Sequence, residues 1–186
     1  SCGVFTFLQI KILLPGGDAT SIHLGNAACV LGALLLGGFY GGLGGAIGMA
    51  IGDLLDPVYV VYVPKTLLLK LCIGLITGFI AHRLGKITES NDRGHVLFWT
   101  ILAAAGGLLF NVVADPLVGY YYKLLILGKP AAEVSLAWNL ASTSINAVIS
   151  TVASVAVYMA LRPALKKSGL FFRMKPIIRR RPMHQG

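Results

Sequence analysis

Long apolar runs, separated by short polar or glycine-rich connections, dominate the chain. Runs of about 15 to 25 residues have the length that a helix needs to cross a bilayer. We predict six spans, the first incomplete at its start: Ser1–Leu14, His23–Leu36, Phe39–Leu55, Thr66–Leu84, Val96–Tyr122 and Ala137–Leu161. The predicted fold class is all-α, a polytopic membrane protein with six transmembrane helices in a compact bundle over residues 1–165. A basic cytoplasmic tail is predicted over residues 166–186.

The composition agrees with a membrane domain. The chain of 186 residues is 56% hydrophobic and 12% charged, whereas soluble domains carry roughly 25% charged residues. No separate soluble module is expected. The connections read as GGDATS, a tight turn at Gly37-Gly38, DPVYVVYVPK, GKITESNDRGH and LLILGKPAAEVS.

The net charge of +9 follows the positive-inside pattern. Of the 16 lysines and arginines, eleven fall on one side of the predicted spans and five on the other. The richer side is expected to be cytoplasmic, with both termini inside. The basic tail then lies beside anionic lipid, so no nucleic-acid partner is expected.

Sequence motifs for catalysis or metal binding are missing. The sequence has no Walker A pattern, no GxSxG and no HExxH, which are signatures of nucleotide, hydrolase and zinc sites. The three cysteines lack CxxC spacing, so we expect neither a metal nor a cofactor. The chain is therefore not expected to be an enzyme or to use ATP itself.

Polar side chains interrupt the spans mainly in the predicted outer third. At about 1.5 Å per residue from Val96, Asn111 lies about 22 Å and Asp115 about 28 Å along the fifth span. Lys70 lies one turn below the outer end of the fourth. The sixth span carries polar residues at helical spacing: Asn139, Ser142, Thr143 and Asn146. Polar groups inside a membrane usually face a cavity or a partner.

These groups predict a ligand pocket near the outer surface. Tyr120 and Trp138 lie at its predicted rim, and His23 precedes the second span as a ligand contact or a cap. The alternatives are an ordinary aromatic belt at the membrane interface and a private ion pair between Asp115 and Lys70.

The third span, GFYGGLGGAIGMAIGDLL, is rich in glycine. Gly41, Gly45 and Gly48 belong to overlapping small-xxx-small pairs, which let helix backbones approach closely. Two uses remain open: packing inside the bundle, and a flat face on which another membrane protein docks.

The segment GGDATSIHLGNAACVLGALLLGGFYGGLGGAIGMAIGDLL, Gly16 to Leu55, resembles the substrate-binding S component of energy-coupling-factor (ECF) vitamin transporters. The matching elements are IHLGN at the start of the second span, the ALLLG turn, and the glycine-rich third span ending near Asp53. PKTLLLKLCIGLITGFIAH, Pro64 to His82, is also similar to this family.

The resemblance implies a transport subunit in the cytoplasmic membrane of a prokaryote. Its partners would be a membrane coupling protein and two cytosolic ATPase subunits, which use the ATP. The family docks its coupling protein through Ala-x-x-x-Ala on the first helix, and this sequence is expected to begin after that motif. The implied ligand contacts are Lys70, Asn111, Asp115, Asn139, Ser142 and Asn146, with His23 and the GGDATS loop covering the pocket.

Amides, hydroxyls, one acid and one lysine suit a small heteroaromatic vitamin. A B6 vitamer such as pyridoxine or pyridoxamine, or hydroxymethylpyrimidine, fits this set best. Pantothenate fits if Lys70 faces a carboxylate, and riboflavin requires a larger apolar slot. Two other functions remain open: an ion- or proton-coupled carrier built on Asp53, Lys70 and Asp115, and a membrane scaffold assembled through the glycine faces.

Overall fold

The structure, a computed structural model, describes residues 2–3, 9–14, 18–128 and 132–169. It contains a two-stranded hairpin followed by five helices. The antiparallel strands are β1 (Gln9–Leu14) and β2 (Asp18–His23). The helices are α1 (Gly25–Leu36), α2 (Gly38–Leu54), α3 (Val63–Gly78), α4 (Arg93–Tyr121) and α5 (Ala132–Lys167).

Short turns extend two of the helices. A 3₁₀ turn (Val60–Tyr62) leads into α3, and π-helical turns (Phe79–Leu84 and Tyr122–Leu127) continue α3 and α4. Within the described part of the chain, three segments are long and apolar enough to cross a membrane: Val60–Leu84, Arg93–Leu127 and Ser135–Lys167. A shorter apolar helix, α1, lies beside them. The all-α class is thus confirmed, whereas the count of six spans and the side of the termini stay predictions.

The predicted first span is wrong for Gln9–Leu14, which forms a strand. QIKILL contains two β-branched isoleucines, which favour strands, and the sequence PGG follows it. Proline and glycine end a helix and favour a turn between strands. Ser1 and residues 4–8 lie outside the described part of the chain.

Other predicted boundaries shift by several residues. His23 is the last residue of β2, and the second helix begins at Gly25. The last helix begins before the predicted Ala137 and continues to Lys167. The predicted tail therefore begins inside α5, and residues 170–186 are not described.

The helices close into a bundle because neighbours along the chain pack together and α5 returns to α1. Gly37 alone joins α1 to α2, with φ +86°, a backbone conformation that favours glycine. The tight turn predicted there is confirmed. The apolar core contains fully buried side chains from α1, α3, α4 and α5, among them Val30, Ile73, Leu108 and Tyr158.

Candidate functional site

A cavity of about 90 Å³ lies between β2 and the adjoining ends of α2 to α5. Its lining combines polar and charged groups with apolar and aromatic side chains. The charged lining residues are Asp53, Lys65, Lys70, Asp115 and Lys123. The amide and hydroxyl lining residues are Thr20, Ser21, Thr66, Asn139, Ser142, Thr143 and Asn146. Such a lining suits a polar ligand, because each of these groups needs a hydrogen-bond partner when buried.

Asp115 holds two lysines of α3 against α4. The Lys65 Nζ atom lies 2.5 Å from Asp115 Oδ1, and Lys70 Nζ lies 3.5 Å from Asp115 Oδ2. Lys70 also donates a hydrogen bond of 3.1 Å to Asn111 Oδ1. The pair predicted between Lys70 and Asp115 therefore exists, but Lys65 makes the shorter contact. This network fixes the charged wall of the cavity.

Strand β2 is bonded to α5 across the cavity. The hydroxyls of Thr20 and Ser142 lie 2.6 Å apart. Asn146 Oδ1 accepts from the His23 backbone N–H at 2.9 Å, and its Nδ2 donates to the Ser21 carbonyl at 2.9 Å. Ser142 and Asn146, predicted to contact a ligand, thus hold the hairpin over the cavity that they line.

A second contact ties β1 to the loop between α2 and α3. Lys11 Nζ lies 2.9 and 2.7 Å from the two carboxylate oxygens of Asp56 and 4.9 Å from the centre of the Tyr59 ring. Burial raises the pKa of Asp56, but the hydrogen bond and charge of Lys11 outweigh it, so that the pKa lies below its usual value. The Asp56 carboxylate therefore stays ionised at neutral pH.

Replacing Lys11 with alanine is expected to loosen the hairpin. The lost ion pair and cation–π contact together predict roughly 3- to 10-fold faster amide hydrogen exchange in β1 and β2. Exchange measured by mass spectrometry tests this. Asp56→Ala should have a similar effect, and the double variant should add little to it. Unchanged exchange in the single variants would show that the pair does not hold the hairpin.

His23 lines the cavity in its neutral form. Burial, and after it the charge of Lys70, lower the pKa of His23 to about 3 despite the opposing charge of Asp115. Its Nδ1 atom accepts a hydrogen bond of 3.1 Å from the Gly25 backbone N–H. It therefore acts partly as a cap of α1, one of the two roles predicted for it.

Three predicted ligand residues do not line the cavity. Asn111 is buried and reaches the cavity only through Lys70. Trp138 is 48% exposed on the outside of the bundle, and Tyr120 packs edge-on against Tyr121. Trp138 directly precedes Asn139 on α5, so helix geometry turns it about 100° away from the polar face.

Some lining residues are not among the predicted ligand contacts. Lys65 lies in a predicted loop, although Pro64 before it is typical of the first turn of a helix. Tyr62 lines the cavity as well. Its ring lies 5.7 Å from the ammonium of Lys65 and 5.6 Å from that of Lys123. Thr20 belongs to the GGDATS segment, which the resemblance implied would cover the pocket, and it lines the cavity from β2.

The glycines of α2 point mostly into the bundle. A Cβ atom on Gly41 would lie 2.1 Å from the backbone of Gly32, and one on Gly45 would lie 2.6 Å from Cys29 Sγ. These two positions thus serve internal packing, one of the two uses left open. Gly48 is half-buried, and partner docking through this helix stays a prediction.

A sequence model described as the S component of an ECF-type riboflavin transporter matches residues 2–163. No curated protein and no solved structure matches the chain. Among the described residues, no group of three or more His, Cys, Asp or Glu side chains is arranged to hold a metal ion.

Proposed function

Because the chain belongs to the family of ECF-type riboflavin transporter S components, we propose that its cavity captures a small water-soluble vitamin for delivery across the membrane. The chain is a multi-pass membrane protein and a transport subunit. Release to the cytoplasm would be driven by a membrane coupling protein and two cytosolic ATPases, in the cytoplasmic membrane of a prokaryote.

One observation carries the proposal: the cavity is bordered by a hairpin that is bonded to its walls. Thr20 and Ser21 of β2 both line the cavity and contact α5. Opening the hairpin would expose Asp115, Ser142 and Asn146 together. A ligand that enters can then take over the hydrogen bonds that β2 makes with α5. The charged side chains of the wall already lie inside the protein, so ligand binding does not have to bury any further charged side chain.

Riboflavin is the first candidate ligand, because the family is named for its transport. Its ring and hydroxyl chain would need more room than the present cavity of about 90 Å³, since pockets for ligands of drug size measure roughly 300–1,000 Å³. The hairpin would therefore have to move aside for riboflavin.

A B6 vitamer is the second candidate. The small volume and the amides and hydroxyls of α5 favour a single polar ring, such as pyridoxine or hydroxymethylpyrimidine. Tyr59 and Tyr62, which line the cavity, offer aromatic surface for either ligand.

Binding to the purified chain discriminates these candidates. The detergent-solubilised protein is expected to bind riboflavin or pyridoxine with a 1:1 stoichiometry in the absence of ATP, measured by flavin fluorescence quenching and by calorimetry. Liposomes that contain the chain alone should show no concentrative uptake. Uptake without an ATPase would instead favour the ion-coupled carrier, and a protein that binds no vitamin would contradict the proposal.

A further inference from the structure

Asp53 lies in the last turn of α2 at an energetically unfavourable position. It is only 3% exposed, although burial of a carboxylate is costly unless it is paired and hydrogen-bonded. It also stands near the C-terminal end of a helix, where the helix dipole disfavours an anion. A residue whose burial and position are unfavourable for stability commonly belongs to a functional site.

One oxygen of this side chain has no protein partner. Asp53 lines the cavity, and its Oδ2 atom makes no hydrogen bond with any residue that the structure describes. The lysines on the cavity wall, Lys65 and Lys70, both contact Asp115 instead. In the described part of the chain, no ion pair joins Asp53 to a cation.

We infer that Asp53 accepts a hydrogen bond from an O–H or N–H donor of the substrate, so that α2 contributes a specificity-determining residue to the cavity. The inference rests on the proposed function and adds α2 to the helices that contact the substrate. The polar ligand contacts predicted from the sequence within the helices lie on α3, α4 and α5. It restricts substrates to molecules that present a donor at this wall. Riboflavin offers its hydroxyl chain and imide N–H, and pyridoxine offers its hydroxymethyl groups.

The test compares Asp53→Asn with the unmodified protein, with riboflavin and pyridoxine as probes. Loss of a hydrogen bond to a charged acceptor predicts about 10- to 100-fold weaker binding of the vitamin that the unmodified protein accepts. Thermal melting without ligand should be unchanged or raised, because an unpartnered buried charge has been removed. Glu89→Gln, on the exposed loop before α4, serves as the control and should bind normally.

Analogues identify the donor. Lumiflavin lacks the hydroxyl chain of riboflavin, and 4-deoxypyridoxine lacks one hydroxyl of pyridoxine. If the missing hydroxyl is the donor, Asp53→Asn should bind the analogue as well as the unmodified protein does. If the variant weakens vitamin and analogue alike, the donor is one that both molecules share, and the inference still stands.

Each remaining result overturns the inference. Equal affinity of Asp53→Asn and the unmodified protein would refute the role of Asp53 while leaving vitamin binding intact. A lowered melting temperature without ligand would show that Asp53 is structural, as would failure of both Asp53→Asn and Asp53→Ser to fold. If the unmodified protein binds neither vitamin, the proposed function fails together with the inference.

Discussion

Replacing Asp115 with alanine is expected to abolish vitamin binding and to lower the free energy of unfolding by about 3–5 kcal/mol, the cost typical of breaking a buried ion pair. The change leaves the ammonium groups of Lys65 and Lys70 beside the cavity without their shared carboxylate. Asn111 alone remains as an acceptor for Lys70. Binding assays and unfolding in mixed detergent micelles measure the two effects.

A compensated variant separates stability from binding. Asp115→Leu combined with Lys65→Met and Lys70→Met removes the whole charged network, and replacing such a network with apolar side chains is often neutral or stabilising. We expect this triple variant to regain stability but not vitamin binding. An Asp115→Ala protein that loses less than about 1 kcal/mol would instead indicate that both lysines reach water.

The network on α3 and α4 shows which features of the site the sequence predicts. Asn111 and Asp115 stand one turn apart within an apolar run, so their shared face follows from helical spacing. The cost of polar groups in a membrane then predicts partners for them. Lys70 was found by the same reasoning. Lys65 was not, because a short segment around Pro64 can be read as a loop or as the first turn of a helix.

The hairpin shows where sequence patterns stop being sufficient. Six residues such as QIKILL are too few for apolar periodicity to distinguish a strand from part of a helix. Thr20 and Ser21 line the cavity because of the way β2 is placed against α5. No local sequence pattern encodes that placement. The sequence places Asp53 near the end of the glycine-rich span, but its burial and its unpartnered oxygen appear only once the helices are placed.

The glycines of α2 divide into two classes by what a methyl group would meet. A Cβ atom on Gly41 would lie 2.1 Å from the carbonyl carbon of Gly32 and 2.2 Å from the nitrogen of Ala33. Both atoms belong to the backbone of α1, so no side-chain rotation can make room. A Cβ atom on Gly44, three residues away on the same helix, would have no atom within 4 Å.

Gly41→Ala is therefore expected to force α1 and α2 apart and to lower the free energy of unfolding by about 3 kcal/mol or more, the upper range for overpacked sites. Gly44→Ala is the matched control and should change it by less than about 1 kcal/mol, with a small gain from the lost flexibility of glycine. Unfolding in mixed micelles measures both. Because Gly41 and Asp53 belong to the same helix, a Gly41 variant that still folds should also bind vitamin more weakly, through displacement of α2 and Asp53. Equal stability of the two variants would show that α1 and α2 are not in backbone contact. Gly41 would then again be a candidate for docking a partner protein.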